Sequence, residues 1–172
     1  HYVGGKEDLL LGIMNDCLSA MISGAKQALD GSTDPVRQLA LLVAFHVGFT
    51  ATNPSTARVT EYEMRALSPA AREQMQALRD AYEQLFADAL QAGERQGSFS
   101  TVDLGIARLA LMEMGTGVSH WYRKDGRLSL AEVQLNFISL AMRILAVPDE
   151  FPLPPQQLPV PQVIASEPRS KD

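Results

Sequence analysis

Glu132-Val133-Gln134-Leu135-Asn136-Phe137-Ile138-Ser139-Leu140-Ala141-Met142-Arg143-Ile144-Leu145 is the stretch whose reading decides the fold. At about 100° per residue along a helix, Glu132, Asn136, Ser139 and Arg143 fall into one narrow polar strip. Val133, Leu135, Phe137, Ile138, Leu140, Ala141, Met142, Ile144 and Leu145 spread over roughly 220° of the remaining surface. A helix lying on a single core needs an apolar arc of only about 100° or slightly more. This one has to pack on two sides.

The segment before it carries a similar excess. Leu104, Ala107, Leu111, Met114, Val118 and Trp121 make one helical stripe, and Leu109, Met112, Glu113, Thr116 and His120 make a second, mixed one. Gly105, Gly115 and Gly117 each weaken such a helix by about 1 kcal/mol relative to alanine, a cost that makes sense where another backbone or a ligand comes close. Two consecutive doubly apolar helices favour a twofold dimer closed as a four-helix bundle, over both helices sitting centrally in a monomer. The expected interface is Leu109, Met112, Thr116 and His120 with Val133, Phe137, Leu140 and Ile144.

Working outward, proline and capping residues punctuate the rest. Lys6 to about Leu29 is periodic at helical spacing, with Glu7-Asp8 in its first turn, where the helix dipole favours negative charge. Asp34-Pro35, Asn53-Pro54 and Ser68-Pro69 each set a capping side chain before a proline suited to the first helical position. Helices are expected over about Pro35–Ala51, Pro54–Ala66, Pro69–Gln96 and Val102–Arg123. The last, from a capping box at Ser129 and Glu132, runs to about Ala146. No sustained period-two alternation occurs, so the fold class is all-α with about six helices.

Beyond Val147 the composition changes, with seven of the ten prolines lying between Pro148 and Pro168. Such a segment favours extended, polyproline-like backbone. It reads first as a disordered tail and second as an arm whose Phe151, Leu153, Leu158, Val160, Val163 and Ile164 dock on the body or a partner.

The chain has 172 residues, a net charge of −5, 46% apolar residues and one cysteine. That is one domain with a real core, without disulfide or cysteine-built zinc cluster. Cys17 falls on an apolar stripe and reads as a small buried hydrophobe. No apolar run approaches the roughly 20 residues of a membrane span, and no signal segment opens the chain. The reading is cytoplasmic, N-terminally incomplete, without membrane partner or cofactor. The acidic balance does not advertise nucleic-acid binding by this body.

His1-Tyr2-Val3-Gly4-Gly5-Lys6-Glu7-Asp8-Leu9-Leu10 resembles the exit of the helix-turn-helix in TetR-family regulators. Trp121-Tyr122-Arg123-Lys124-Asp125-Gly126-Arg127-Leu128-Ser129 resembles a subset of that family from bacterial fatty-acid and steroid catabolism, and Glu61, Leu67, Arg79 and Gly97 fit its middle region loosely. The resemblance covers residues 1 to about 147. It implies a TetR-type C-terminal helical bundle: residues 1–5 end the DNA-binding domain, 6–147 bind effector and dimerise, and 148–172 form a proline-rich tail. It also implies phosphate contacts at Tyr2 and Lys6, which position a protein on DNA without reading bases. Base-reading residues would lie upstream of His1, so operator DNA is met through a domain outside this sequence.

A sensor needs an apolar cavity with a few polar anchors. Candidate lining residues are Phe45, His46, Phe49, Tyr62, Arg65, Leu78, Tyr82, Phe86, Met112, Ser119 and Trp121. Each taken alone is more often core than ligand contact, and His46 reads as a hydrogen-bonded buried histidine. Arg65 and Arg79 suit a carboxylate or phosphate, but pairing with Glu61, Glu63 or Asp80 is the stronger reading. Glu61 and Glu63 lie on different helix faces, His1, His46 and His120 lack metal-ligand spacing, and no nucleophile or phosphate-cradling motif occurs. The expected function is a TetR-family regulator, a repressor released from DNA by a hydrophobic effector, with acyl-CoA as a candidate class. The alternative is a helical ligand carrier or scaffold that never binds DNA. The roughly 50 residues encoded upstream would separate the two, since only the regulator needs a basic helix-turn-helix there.

Overall fold

The computed structural model describes residues 4–101, 103–148 and 153–169. Among these residues there are six α-helices and no strand: α1 (Lys6–Leu29), α2 (Pro35–Thr52), α3 (Pro54–Tyr62), α4 (Pro69–Arg95), α5 (Leu104–Trp121) and α6 (Leu130–Ile144). Short 3-10 turns follow at Glu63–Ala66 and Pro155–Gln157.

Local chemistry sets most of these boundaries. Asp34 accepts from the Arg37 amide, Ser68 from the Ala71 amide and Asp103 from the Ile106 amide. At α6 the box closes in both directions, Glu132 N–H to Ser129 Oγ at 3.2 Å and Ser129 N–H to Glu132 Oε2 at 2.7 Å. Asp30 and Gly31 leave α1 in left-handed backbone, and Gly97 does the same after α4. Asn53 departs from the expected pattern: its side chain makes no cap bond to α3, for a reason that lies in the arm.

Helix α2 is the axis of the domain. Every residue from Leu39 to Thr50 is buried, so this helix has no solvent face for two thirds of its length. A helix apolar all round is stable only when covered on every side. Helices α1, α4, α5 and α6 supply that cover. Leu39, Leu42 and Val47 are fully buried, each burial being worth about 1.5–3 kcal/mol. The two doubly apolar helices thus owe one flank each to α2, through Ala107, Leu111 and Val118 of α5 and Ile138, Ala141 and Met142 of α6.

The reading of the proline-rich segment as disordered is corrected for residues 153–169, which lie along the body as an extended arm. Leu153 and Leu158 are buried. Gln134, itself 1% exposed, donates to Ala44 O and to Pro159 O. Asn53, fully buried, donates to Gln162 O at 3.1 Å and accepts from the Ile164 amide at 2.8 Å. These two amides satisfy the arm backbone much as a neighbouring strand would. Pro161 packs so close to Gly48 that a Cβ there would sit 2.8 Å from its Cδ. Phe151 lies outside the described residues.

The central role of α2 has a measurable consequence. Leu42→Ala removes a fully buried side chain from the axis and is expected to cost about 2–5 kcal/mol in urea unfolding. Leu9→Ala, on an exposed turn of α1, is expected to stay within about 0.5 kcal/mol.

Candidate functional site

Five helices meet around a cavity of about 140 Å³. Helix α1 contributes Cys17, Leu18 and Met21, α2 His46 and Thr50, and α3 Ala57, Thr60 and Glu61. Helix α4 contributes Arg79, Tyr82 and Glu83, and α5 Leu109, Met112, Glu113 and Thr116. The inner part is apolar, with hydroxyls, a thiol and one imidazole set into it, while the charged side chains come from the outer turns. The volume is close to that of engineered cavities of about 150 Å³ that hold benzene.

His46 organises the polar part. Its Nδ1 lies 2.8 Å from the Tyr82 hydroxyl, and its Nε2 lies 3.1 Å from Met112 O and 3.0 Å from Thr116 Oγ1. A carbonyl oxygen only accepts, so Nε2 carries the proton and the Tyr82 hydroxyl donates to Nδ1. Burial drives the imidazole down to a pKa of about 4, opposed by the Met112 carbonyl. The same burial raises Tyr82 and pushes the Cys17 thiol up to about 11, with the Thr60 hydroxyl pulling the other way. At neutral pH these groups are an uncharged imidazole, a phenol and a thiol. They offer a ligand hydrogen bonds and soft apolar contact. Gly115 makes this packing feasible, since a Cβ there would sit 2.2 Å from the His46 ring. The expectation of a close approach thus holds at Gly115, whereas a Cβ on Gly117 would meet only open space.

Residues 32–145 match the family model of the tetracyclin repressor-like C-terminal domain. The chain belongs to the TetR family. A TetR-family regulatory protein from Rhodococcus RHA1 superposes with a TM-score of 0.80 at 26% identity, covering 86% of this chain and 77% of that one. PfmR, a TetR-family transcriptional regulator from Thermus thermophilus, does so with a TM-score of 0.72 at 26% identity, covering 86% and 79%. AibR, solved with isovaleryl coenzyme A and operator DNA, shares the fold with a TM-score of 0.72 at 19% identity, covering 81% and 76%. A comparison with curated proteins returns no match. TetR-family regulators are generally not enzymes.

Within this TetR-family bundle the expected sensor residues separate. His46, Tyr82 and Met112 come together at the cavity. Phe45 and Phe49 lie elsewhere on the turn of α2, bordering a second hollow between α1 and the arm. Phe86 is core against His46 and Tyr82, and Leu78 packs on the same core. Tyr62 is half-exposed at the end of α3, its hydroxyl 3.1 Å from His120 Nε2. Arg65 sits exposed on the 3-10 turn. Ser119 is buried and donates back to Thr116 O. Trp121 is half-exposed and stacks on Phe137 at 6.3 Å. Sequence reasoning missed Cys17, Met21, Thr50, Ala57 and Thr60 as wall residues; the stripe on α1 held a signal for the first two, and the short α3 held none. Arg79 turns out to donate to the carbonyls of Thr60 and Glu61.

The expected TetR interface separates too. Val133 is buried against Val47 and Val118 of its own chain, because the first turn of α6 lies under α2, so it leaves the candidate interface. Met112 and Thr116 turn toward the cavity. Phe137, Leu140 and Ile144 keep an uncovered flank on α6, and Leu109 and His120 remain exposed on α5. Lys6 is exposed at the start of α1, and Tyr2 lies outside the described residues.

The depressed His46 pKa links stability to pH. Folding holds this imidazole neutral down to about pH 4, whereas the unfolded chain takes up its proton near pH 6.5. The unfolded state therefore binds more protons between these values. Stability is fully present above about pH 6.5 and falls as pH drops toward 4, by about 3 kcal/mol from this group. Urea unfolding from pH 7.5 to 5 should show the decline, and the His46 ring resonance should stay untitrated across that range. A His46 resonance titrating near pH 6.5 would contradict the buried neutral assignment.

Proposed function

We propose that this chain is the effector-binding and dimerising part of a TetR-family transcriptional repressor, released from operator DNA when a hydrophobic small molecule fills the cavity. Residues 6–147 are the sensor and dimer body, and residues 1–5 are the exit of the DNA-reading domain, with Tyr2 and Lys6 on DNA phosphates. The observation that carries this reading is that α1 walls the cavity through Cys17, Leu18 and Met21 and begins at Lys6, the end at which this reading joins the DNA-reading part. A ligand that presses on that wall alters the tilt of α1 and with it the spacing of the two heads. It does so only by binding the non-DNA geometry more tightly. Head spacing matters because half-sites lie on one DNA face at whole helical turns.

The cavity suits an apolar group about the size of benzene. AibR was solved with isovaleryl coenzyme A, whose short branched acyl group is of that order. A short acyl-CoA is therefore the effector class to try first, its acyl part among Met21, Tyr82 and Met112 and its carbonyl within reach of the hydroxyls. In full-length protein, saturating isovaleryl-CoA is expected to weaken operator binding about tenfold or more, a coupling near 1.4 kcal/mol. Unchanged DNA affinity at saturating short acyl-CoAs would reject that ligand class.

The proposed dimer closes through the uncovered flanks of α5 and α6, where Ile106, Leu109, Trp121 and Leu140 expose about half or more of their surface. Exposed apolar side chains grouped on two adjacent helices mark a protein-protein contact. Native mass spectrometry is expected to show a dimer at micromolar concentration, and Leu140→Glu to shift it to monomer with the fold intact. A wild-type monomer would remove the mechanical basis of the model.

A further inference from the structure

Helix α3 has nine residues, too few to hold together on its own propensity. Its own sequence supplies no cap. Asn53 precedes Pro54 in capping position but gives its amide to the arm, at Gln162 O and the Ile164 N–H. The free amides of the first turn go instead to Glu167, Ser55 N–H to Oε1 at 3.0 Å and Thr56 N–H to Oε2 at 2.8 Å. At the other end, Arg79 of α4 takes the carbonyls of Thr60 and Glu61. Each clamp has the charge that suits its end of the helix dipole. Both come from outside α3.

Between the two clamps stand Ala57, Thr60 and Glu61, one wall of the cavity, and Cys17 lies on the α1 wall. Burial raises the Cys17 thiol pKa, the Thr60 hydroxyl of α3 opposes that, and the Glu167 charge adds to the rise. Asn53 and Gln134 fix the register of the arm, and that register places Glu167. Leu153, Leu158 and Pro161 anchor the arm on the body, whereas Val163 and the residues around Glu167 are exposed or half-buried, so that end can lift while Pro161 still covers Gly48 of α2.

We propose that the proline-rich arm is a latch on the cavity, with Glu167 a positioning residue whose capping of α3 holds that wall closed over Cys17. The latch concerns the wall and not the effector, so its test needs no effector. Cys17 is the sole cysteine of this sequence and is fully buried, so its rate of reaction with an aromatic disulfide reagent reports the wall directly.

In the full chain under native conditions, Glu167→Ala is expected to raise the Cys17 labelling rate about tenfold or more, the loss of a charge-assisted pair of bonds. Glu167→Asp should restore part of the protection. Val163→Ala, on the exposed side of the same arm, should leave the rate unchanged. Leu145→Ala, a fully buried core change, calibrates how far global destabilisation alone speeds labelling. Amide exchange at Ser55 and Thr56 should rise in Glu167→Ala along with the labelling. Labelling at the wild-type rate, or raised only as far as the variant's own loss of global stability predicts, would overturn the latch. A protein that responds to no acyl-CoA would defeat the effector reading and leave this result standing.

Discussion

A helix without a polar face tolerates no water, and α2 is such a helix from Leu39 to Thr50. The remaining architecture answers to that constraint. Four helices have to pack on α2, and they do so with the stripes their sequences offer. Because α5 and α6 each spend one flank on α2, their second flanks are left over on the outside. The surplus apolar surface of the last two helices and the burial of the second are one fact seen from two sides.

Polar groups inside this core are few, and those around His46 have defined partners. His46 and Tyr82 bond one another, and Thr50 Oγ1 donates across to Gly115 O on α5. Buried polar groups cost heavily when unpaired, so such contacts fix the relative register of helices that apolar packing alone would let slide. The cavity lies where this polar set meets the middle turns of α1 and α5. Its shape is therefore a by-product of helix register, and a ligand that changes it has a mechanical path to α1.

Helix ends were legible because proline and a preceding capping residue act locally. Asp34, Ser68 and Ser129 cap as their spacing implied. Asn53 shows the limit of that inference. Its position before Pro54 is that of a cap, yet residues more than a hundred positions away claim its amide. The choice of α2 as axis was visible only as a largely apolar run, with His46 and Thr50 set into it, which does not say what covers it. Cavity walls were harder still. His46, Tyr82 and Met112 stood out by type, whereas Ala57 and Thr60 matter only because α3 crosses α1 there. Val133 looked like interface by periodicity and proved to be core, since a helical stripe does not record where along its length the neighbouring helix ends. The extended arm followed from its prolines, but docking depended on Gln134, a polar residue whose burial no local pattern announces.

The arm also bears on the order in which the protein is made. Residues 153–169 leave the ribosome after all six helices, so the nascent bundle exists for a time with Asn53 and Gln134 lacking their arm partners and α3 uncapped. Chains made at about 5–20 residues per second emerge N-terminal part first, and such an intermediate persists until the arm is free. A newborn copy therefore passes through a stage in which α3 lacks its Glu167 cap, and that cap forms only when the arm itself has been translated.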